Sequence, residues 1–207
     1  MLYLASESSR RKELLGWTGL DFEVVEHGVD EDEYRGSDGK KMVKELSLAK
    51  AYGGSRGLKK GLVIGSDLTV EFEGKQLGKP KNIKETKKML ESLAGKEHMI
   101  YTGVAVVDSK SMEGRLSVCE TKVKMKDYDD EIIKRYIKKF NLMDKAGGFS
   151  IRYKLDGFGS LVEKIEGSFT NVLGFPLEYL ENLLKEFGME AKKDWRKKCK
   201  METGYEG

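Results

Sequence analysis

Two charged residues, Asp67 and Lys79, are the first candidates for chemistry in this sequence. Asp67 follows the apolar run Leu62-Val63-Ile64 and a Gly65-Ser66 turn, which predicts a carboxylate delivered at the end of a buried strand. Lys79 stands between Gly78 and Pro80 on the return arm of a hairpin closed at Glu73-Gly74. A carboxylate for a metal or a water, with an ammonium for an anion, suits phosphate chemistry; the same two residues also suit a solvated hairpin surface. Ser6-Glu7-Ser8-Ser9-Arg10-Arg11 offers hydroxyls and free N–H groups at a helix start. Its two arginines sit where the helix dipole disfavours cations, so either a bound phosphate or simple solvation must account for them. Asp30-Glu31-Asp32-Glu33 gathers oxygen ligands fit for a hard cation such as Mg²⁺, or forms an ordinary acidic loop. Lys50 lies at the edge of an apolar helical stripe and is better placed for function than its neighbouring lysines.

The elements that must position these groups alternate between strand and helix. Residues 2–5 read as a first strand, leading into a helix that carries Leu14-Leu15 and stops at Gly16. Residues 22–25 read as a strand. Met42, Val43, Leu46 and Ala49 predict a helix over 38–52, ended by Gly53-Gly54 and linked to the central strand. Residues 68–72 form a second strand-like run after Asp67. Asn82 caps a helix with Ile83, Met89, Leu90 and Leu93 inward and Gly95 at its end. Residues 98–108 and 115–126 predict long antiparallel strands joined near Gly114. His98, with no second ligand at metal spacing, reads as a hydrogen-bonded strand-end residue. A helix over 129–140 carries Ile132, Ile133, Tyr136, Ile137 and Phe140 on one side. The Asp144 to Phe149 loop has two glycines and is suited to close over a ligand. Residues 160–165 read as a strand, and a closing helix with Leu177, Leu180, Leu183, Leu184 and Phe187 ends at Gly188. The expectation is one domain over 1–190, a three-layer α/β unit with a mixed sheet, followed by a partly ordered basic and polar tail over 191–207 with Trp195 as its only large anchor.

Composition narrows the classes. Charged residues are 35% of 207 and nearly cancel to a net +3, which describes an ion-paired surface and gives no footing for nucleic-acid binding. Cys119 and Cys199 lie far apart without a partner motif, so neither a disulfide framework nor a zinc site is indicated. No window approaches membrane-spanning length, and the first residues lack a signal-like pattern; a reducing cytoplasm is the expected location.

Six stretches, LASESSRRKELL at 4–15, GSDLTV at 65–70, LGKP at 77–80, YTGVAV at 101–106, DKAGGF at 144–149 and IEGSFTNVLGFPL at 165–177, together resemble the Maf family of nucleoside triphosphate pyrophosphatases. They run in the right order over almost the whole chain. The resemblance implies an elongated two-lobed α/β fold, a mixed sheet flanked by helices like that of the inosine triphosphate pyrophosphatases (Maf/Ham1 type), with the nucleotide in the cleft between lobes. It implies cleavage of a nucleoside triphosphate to the monophosphate and pyrophosphate, and makes a homodimer the assembly to look for. By the same resemblance Asp67 activates water for attack on the α-phosphorus. Ser6, Ser8, Arg10 and Arg11 hold the phosphates, Lys50 and Lys79 add positive charge at the catalytic centre, and Glu31 joins Asp67 in holding Mg²⁺ or Mn²⁺. Phosphoryl transfer is mostly positioning and charge neutralisation, which suits this set. A carboxylate with an ordinary pKa of about 3.9 is a feeble base, which favours a metal-acidified water.

Three positions depart from the family pattern. Ser9 stands where a proline is usual. Leu68 follows the catalytic Asp where Thr or Gln is usual, a position bearing on base selection. In IRYKLDGFG either Arg152 or Asp156 takes the place of a base-selecting glutamine. Gly157-Phe158-Gly159 and GSD at 65–67 look more like the subfamily acting on 7-methylated GTP, while Ile151 with its polar neighbour is similar to the dTTP/UTP type; pyrimidine nucleotides are preferred on that ground. Two other classes remain: a catalytically idle nucleotide-binding regulator, and an anion or nucleic-acid module using Lys192, Lys193, Arg196, Lys197 and Lys198.

Overall fold

The computed structural model describes residues 1–34 and 38–205. In chain order its elements are β1 (Leu2–Ala5), α1 (Ser9–Trp17), β2 (Phe22–Val24), a 3₁₀ turn (Glu31–Tyr34), α2 (Gly39–Ser55), β3 (Leu62–Phe72), β4 (Lys75–Leu77), α3 (Ile83–Leu93), β5 (Glu97–Asp108), β6 (Gly114–Met125), α4 (Asp130–Lys139), a second 3₁₀ turn (Ala146–Gly148), β7 (Lys154–Leu155), β8 (Gly159–Ser160), β9 (Val162–Glu166), α5 (Phe169–Leu173), α6 (Leu177–Glu186) and α7 (Trp195–Thr203). The main sheet runs β2-β1-β3-β5-β6-β9, with β4 hairpinned onto β3; β7 and β8 form a separate ribbon. β1 is parallel to both neighbours and the rest of the main sheet is antiparallel, so the sheet is mixed, as the alternation of elements predicts.

Strand β3 organises the packing because its side chains alternate between faces. Leu62 and Ile64 join a first core with β1, α1, α6 and α7, whereas Val70 joins a second core with α3 and α4. The two cores divide the long strands β3 and β5 between two lobes, and β6 contributes Val123 and Met125 to the second. The other face of the sheet takes α2 against Ala105 and Val107.

Several local expectations change. No turn occurs at Gly65-Ser66: β3 is unbroken from Leu62 to Phe72. Gly65 is there for a different reason, since a Cβ at this position would lie 2.1 Å from Ser47 O and 2.4 Å from Ala51 N of α2. Gly103, the register partner of Asp67, is equally close to α2, 2.1 Å from Val43 O by the same measure. The helix α1 runs past Gly16 to Trp17, and α2 continues through Gly53 and Gly54 to Ser55. Ile83 is 66% exposed in the first turn of α3, and Thr86 takes the inward place. The strand expected over 160–165 is divided between β8, paired to β7, and β9, paired to β6. His98 is buried edge-on against Phe149 at 5.2 Å, with neither ring nitrogen hydrogen-bonded, rather than satisfied at a strand end.

The largest change is beyond Gly188. The backbone N–H groups of Lys192 and Lys193 donate to Thr18 O at 2.9 Å, and Trp195 and Cys199 of α7 enter the first core. Tyr205 then stacks on Phe169, 3.9 Å between centroids and 6° between planes. The stretch expected as a partly ordered tail holds a docked helix, α7, with Trp195 as its large anchor; Glu206 and Gly207 lie outside the described residues.

Candidate active site

Alternation along β3 turns Asp67 toward α2, where Lys50 meets it. Lys50 is 3% exposed, fully buried rather than at the stripe's edge. Its Nζ donates to Asp67 Oδ1 at 2.8 Å and lies 2.6 Å from Glu31 Oε1 of the first 3₁₀ turn. An ammonium has three donors and no acceptor, and burying it is tolerable only when such partners surround it. Burial works to raise the Glu31 carboxyl, but the Lys50 hydrogen bond and charge outweigh it and hold Glu31 below its ordinary value. Asp67 Oδ2 has no donor among the described residues and is the free oxygen of the pair.

The start of α1 adjoins this triad. Ser8 caps the helix by accepting the Arg11 backbone N–H, and the buried Ser6 Oγ accepts from Ser8 N and from Arg11 Nη1, both at 3.3 Å. Burial pushes the Arg11 guanidinium down, while Asp67 and Glu31 are the carboxylates that sustain its charge. Arg11 and Ser6 thus belong with Asp67, Lys50 and Glu31.

Arg10 belongs elsewhere. Its Nη1 donates to Leu173 O at 3.4 Å, and the charged or titratable groups around it are Tyr153, Arg152, Asp144 and Glu13. Arg152 donates from Nη1 to both Glu13 oxygens at 2.8 and 2.9 Å and lies 5.3 Å over the Trp17 ring. Asp156 is 94% exposed and bound by Lys139, so of the two residues weighed for the base-selecting position only Arg152 turns toward α1. Leu68, next to Asp67, faces the other way and packs on the second core. Asp67 and Leu68 thus face opposite ways from β3, Asp67 toward the carboxylate–ammonium group and Leu68 toward the second core, while Arg10 and Arg152 lie near each other and apart from the Lys50 group.

Lys79 is exposed just beyond β4. The Asp144 to Phe149 loop does not stand free to close: Gly147 N donates to Gly78 O at 3.1 Å, which ties the loop to the segment bearing Lys79. Two residues near these groups had not been singled out. Lys145, buried and paired with Asp144, was legible in the DKAGGF stretch as a cation among loop glycines. His27, at the end of the segment after β2, carried no sequence signal.

Among the described residues no three His, Cys, Asp or Glu converge as a metal site. Asp67 and Glu31 converge on one point, held there by the Lys50 ammonium. Two carboxylates are what Mg²⁺ takes from a protein when waters and phosphate oxygens supply the other ligands, so the donor set fits a cation that arrives with a polyphosphate.

A two-lobed α/β molecule with a lysine-bridged carboxylate pair beside an arginine-bearing helix start is equipped for anionic, phosphate-bearing ligands. The chain belongs to the Maf family: the family model for Maf-like protein matches residues 1–187. It is 40% identical over 199 residues to the dTTP/UTP pyrophosphatase of Acetivibrio thermocellus, covering 93% of this chain and 98% of that one. It is 41% identical over 192 residues to the dTTP/UTP pyrophosphatase of Caldanaerobacter subterraneus, covering 91% and 90%, and 40% identical over 189 residues to that of Thermotoga maritima, covering 90% and 89%. The solved structure of the Staphylococcus aureus Ham1 protein superposes with a TM-score of 0.54 at 13% identity, over 90% of this chain and 98% of that one, and shows the common fold.

Proposed function

We propose that this protein is a nucleoside triphosphate pyrophosphatase that hydrolyses a pyrimidine nucleoside triphosphate, dTTP or UTP, to the monophosphate and pyrophosphate. The observation that carries the reading is the buried Lys50 bridging Asp67 and Glu31 in a member of the Maf family. Asp67 accepts the proton of the attacking water at its free Oδ2, and Lys50 keeps Oδ1 occupied so that the carboxylate stays oriented. Arg11, Ser6, Ser8 and Lys79 hold phosphate oxygens and neutralise the charge that grows on them. Mg²⁺ or Mn²⁺, when bound with the substrate, would be held by Asp67 and Glu31 and would add to that neutralisation. The base lies on the other face of β3, against Leu68 and near Arg10 and Arg152; the names of the relatives support a pyrimidine there. A homodimer in the cytoplasm belongs to the same proposal. No helix among the described residues is long and apolar enough to cross a membrane.

The test is a phosphate-release panel of canonical and modified nucleoside triphosphates with Mg²⁺ or Mn²⁺, run with and without inorganic pyrophosphatase. Signal that needs the added pyrophosphatase and is strongest with dTTP and UTP is expected. Turnover of purines only would overturn the base, and phosphate without the added enzyme would overturn the site of cleavage.

A further inference from the structure

Beside the start of α1 lies a hollow of about 590 Å³, walled by Glu7 before the helix, Lys12 within it, and Glu26, His27 and Val29 of the segment after β2. His27 is one of two histidines in the sequence, and its ring is held in place. Nδ1 accepts the Val29 backbone N–H at 3.1 Å, which leaves the proton of the neutral ring on Nε2. Nε2 itself has no partner among the described residues. The backbone of His27 is seated on α2: a Cβ at Gly53, less than one helical turn past Lys50, would lie 2.1 Å from His27 O. The charged groups that the ring senses are Lys50, Glu31, Glu7 and Asp67. None of them is shared with the set around Arg10, namely Tyr153, Arg152, Asp144 and Glu13. His27 is thus at the end of the site remote from the base-selecting residues.

We propose that His27 is a pyrophosphate-binding residue whose Nε2–H donates a hydrogen bond to a β- or γ-phosphate oxygen of the substrate and to the pyrophosphate that leaves. The inference rests on the proposed pyrophosphatase activity and adds a named contact to it. Burial, and then the nearby Lys50, hold the His27 ring below its ordinary value although Glu31, Glu7 and Asp67 act the other way; Nε2–H is a donor in the neutral ring and in the imidazolium alike. A free donor near Lys50 is suited to a polyphosphate tail, because it satisfies an oxygen without adding another cation beside that ammonium.

Two substitutions separate this role from a purely structural one. His27→Asn keeps an acceptor for the Val29 N–H, in the manner of an Asx turn, but removes the distant donor. His27→Gln keeps an N–H donor near the Nε2 position. The experiment measures KM for the best nucleoside triphosphate, product inhibition by pyrophosphate and by the nucleoside monophosphate, and direct calorimetric binding of Mg²⁺–pyrophosphate. In the Asn variant KM and the pyrophosphate inhibition constant should each rise about tenfold, the usual worth of a hydrogen bond to a charged group, with monophosphate inhibition unchanged. The Gln variant should stay within about threefold of the native protein on all counts. Wild-type pyrophosphate binding in the Asn variant, equal weakening toward both products, or rescue by Asn and not by Gln would each overturn the proposal. Native protein that releases no pyrophosphate from any nucleotide would overturn the activity instead, and calorimetry with pyrophosphate would still judge His27.

Discussion

Lys50 is the residue on which the candidate site turns, since it is buried and meets two carboxylates. Replacing it with methionine keeps the volume and strands Asp67 beside Glu31; Lys50→Met should destabilise by about 3 kcal/mol in chemical denaturation and reduce turnover at least a hundredfold. Asp67→Asn should cut pyrophosphate release by roughly a thousandfold while nucleotide affinity, measured by calorimetry, changes little. A third residue acts on stability alone. His98 is pushed down to about 4 by burial, against an ordinary 6.5. The folded state thus resists protonation that the unfolded chain accepts, and stability is full above about pH 6.5 and is lost as pH falls toward 4. The loss at the lower limit is about 3 kcal/mol. His98→Leu should flatten that part of a pH–stability curve; an unchanged acid limb would show that another group drives it. At this scale the sequence was informative about Asp67, Arg11 and Ser6, whose stretches carry the family resemblance. The Lys50–Asp67 contact was not legible, because it depends on how closely a helix and a strand seventeen residues apart approach.

That approach belongs to the elements. α2 lies over Gly65 and Gly103 with no side chain between, which is what lets Lys50 reach Asp67. Gly65→Ala would set a methyl 2.1 Å from Ser47 O, so α2 must shift away. The expected result is about 2 kcal/mol or more of lost stability together with lost turnover, since overpacking and misplacement act at once. Full activity in a well-folded Gly65→Ala protein would mean that the helix–strand spacing is not what sets the site. Glycine was read as a turn here because glycine punctuates chains; inside a strand it can instead mark where another backbone passes. The hairpin at Glu73-Gly74, by contrast, was legible, since both residues adopt positive φ, 49° and 71°, as a primed two-residue turn requires.

For the whole molecule, the alternation of strands and helices was enough to predict a mixed three-layer α/β unit. The docked α7 was not, because its buried apolar side chains are only Trp195 and Cys199, one turn apart among lysines. Ion pairs also engage part of the basic character of this stretch: docking pairs Lys192 with Asp21 and Arg196 with Glu181, and within α7 Lys198 pairs with Glu202. A nucleic-acid-binding tail is therefore disfavoured. Trp195→Ala should lower stability by about 3 kcal/mol, seen as an earlier thermal transition, and leave pyrophosphate release at 25 °C near native, because Trp195 touches the first core and not the catalytic group.

The first core joins Leu2, Leu4, Leu14 and Trp17 to Trp195 and Cys199, while the second draws on residues from Leu68 to Val172. On a ribosome these two lobes mature at different times. The second holds all its partners once residue 172 has left the exit tunnel, whereas the apolar face of the earliest strand and helix is not fully covered until α7 has emerged. The part of the protein made first is thus the last to be shielded, and nascent chains arrested before residue 195 should be the ones that chaperones retain.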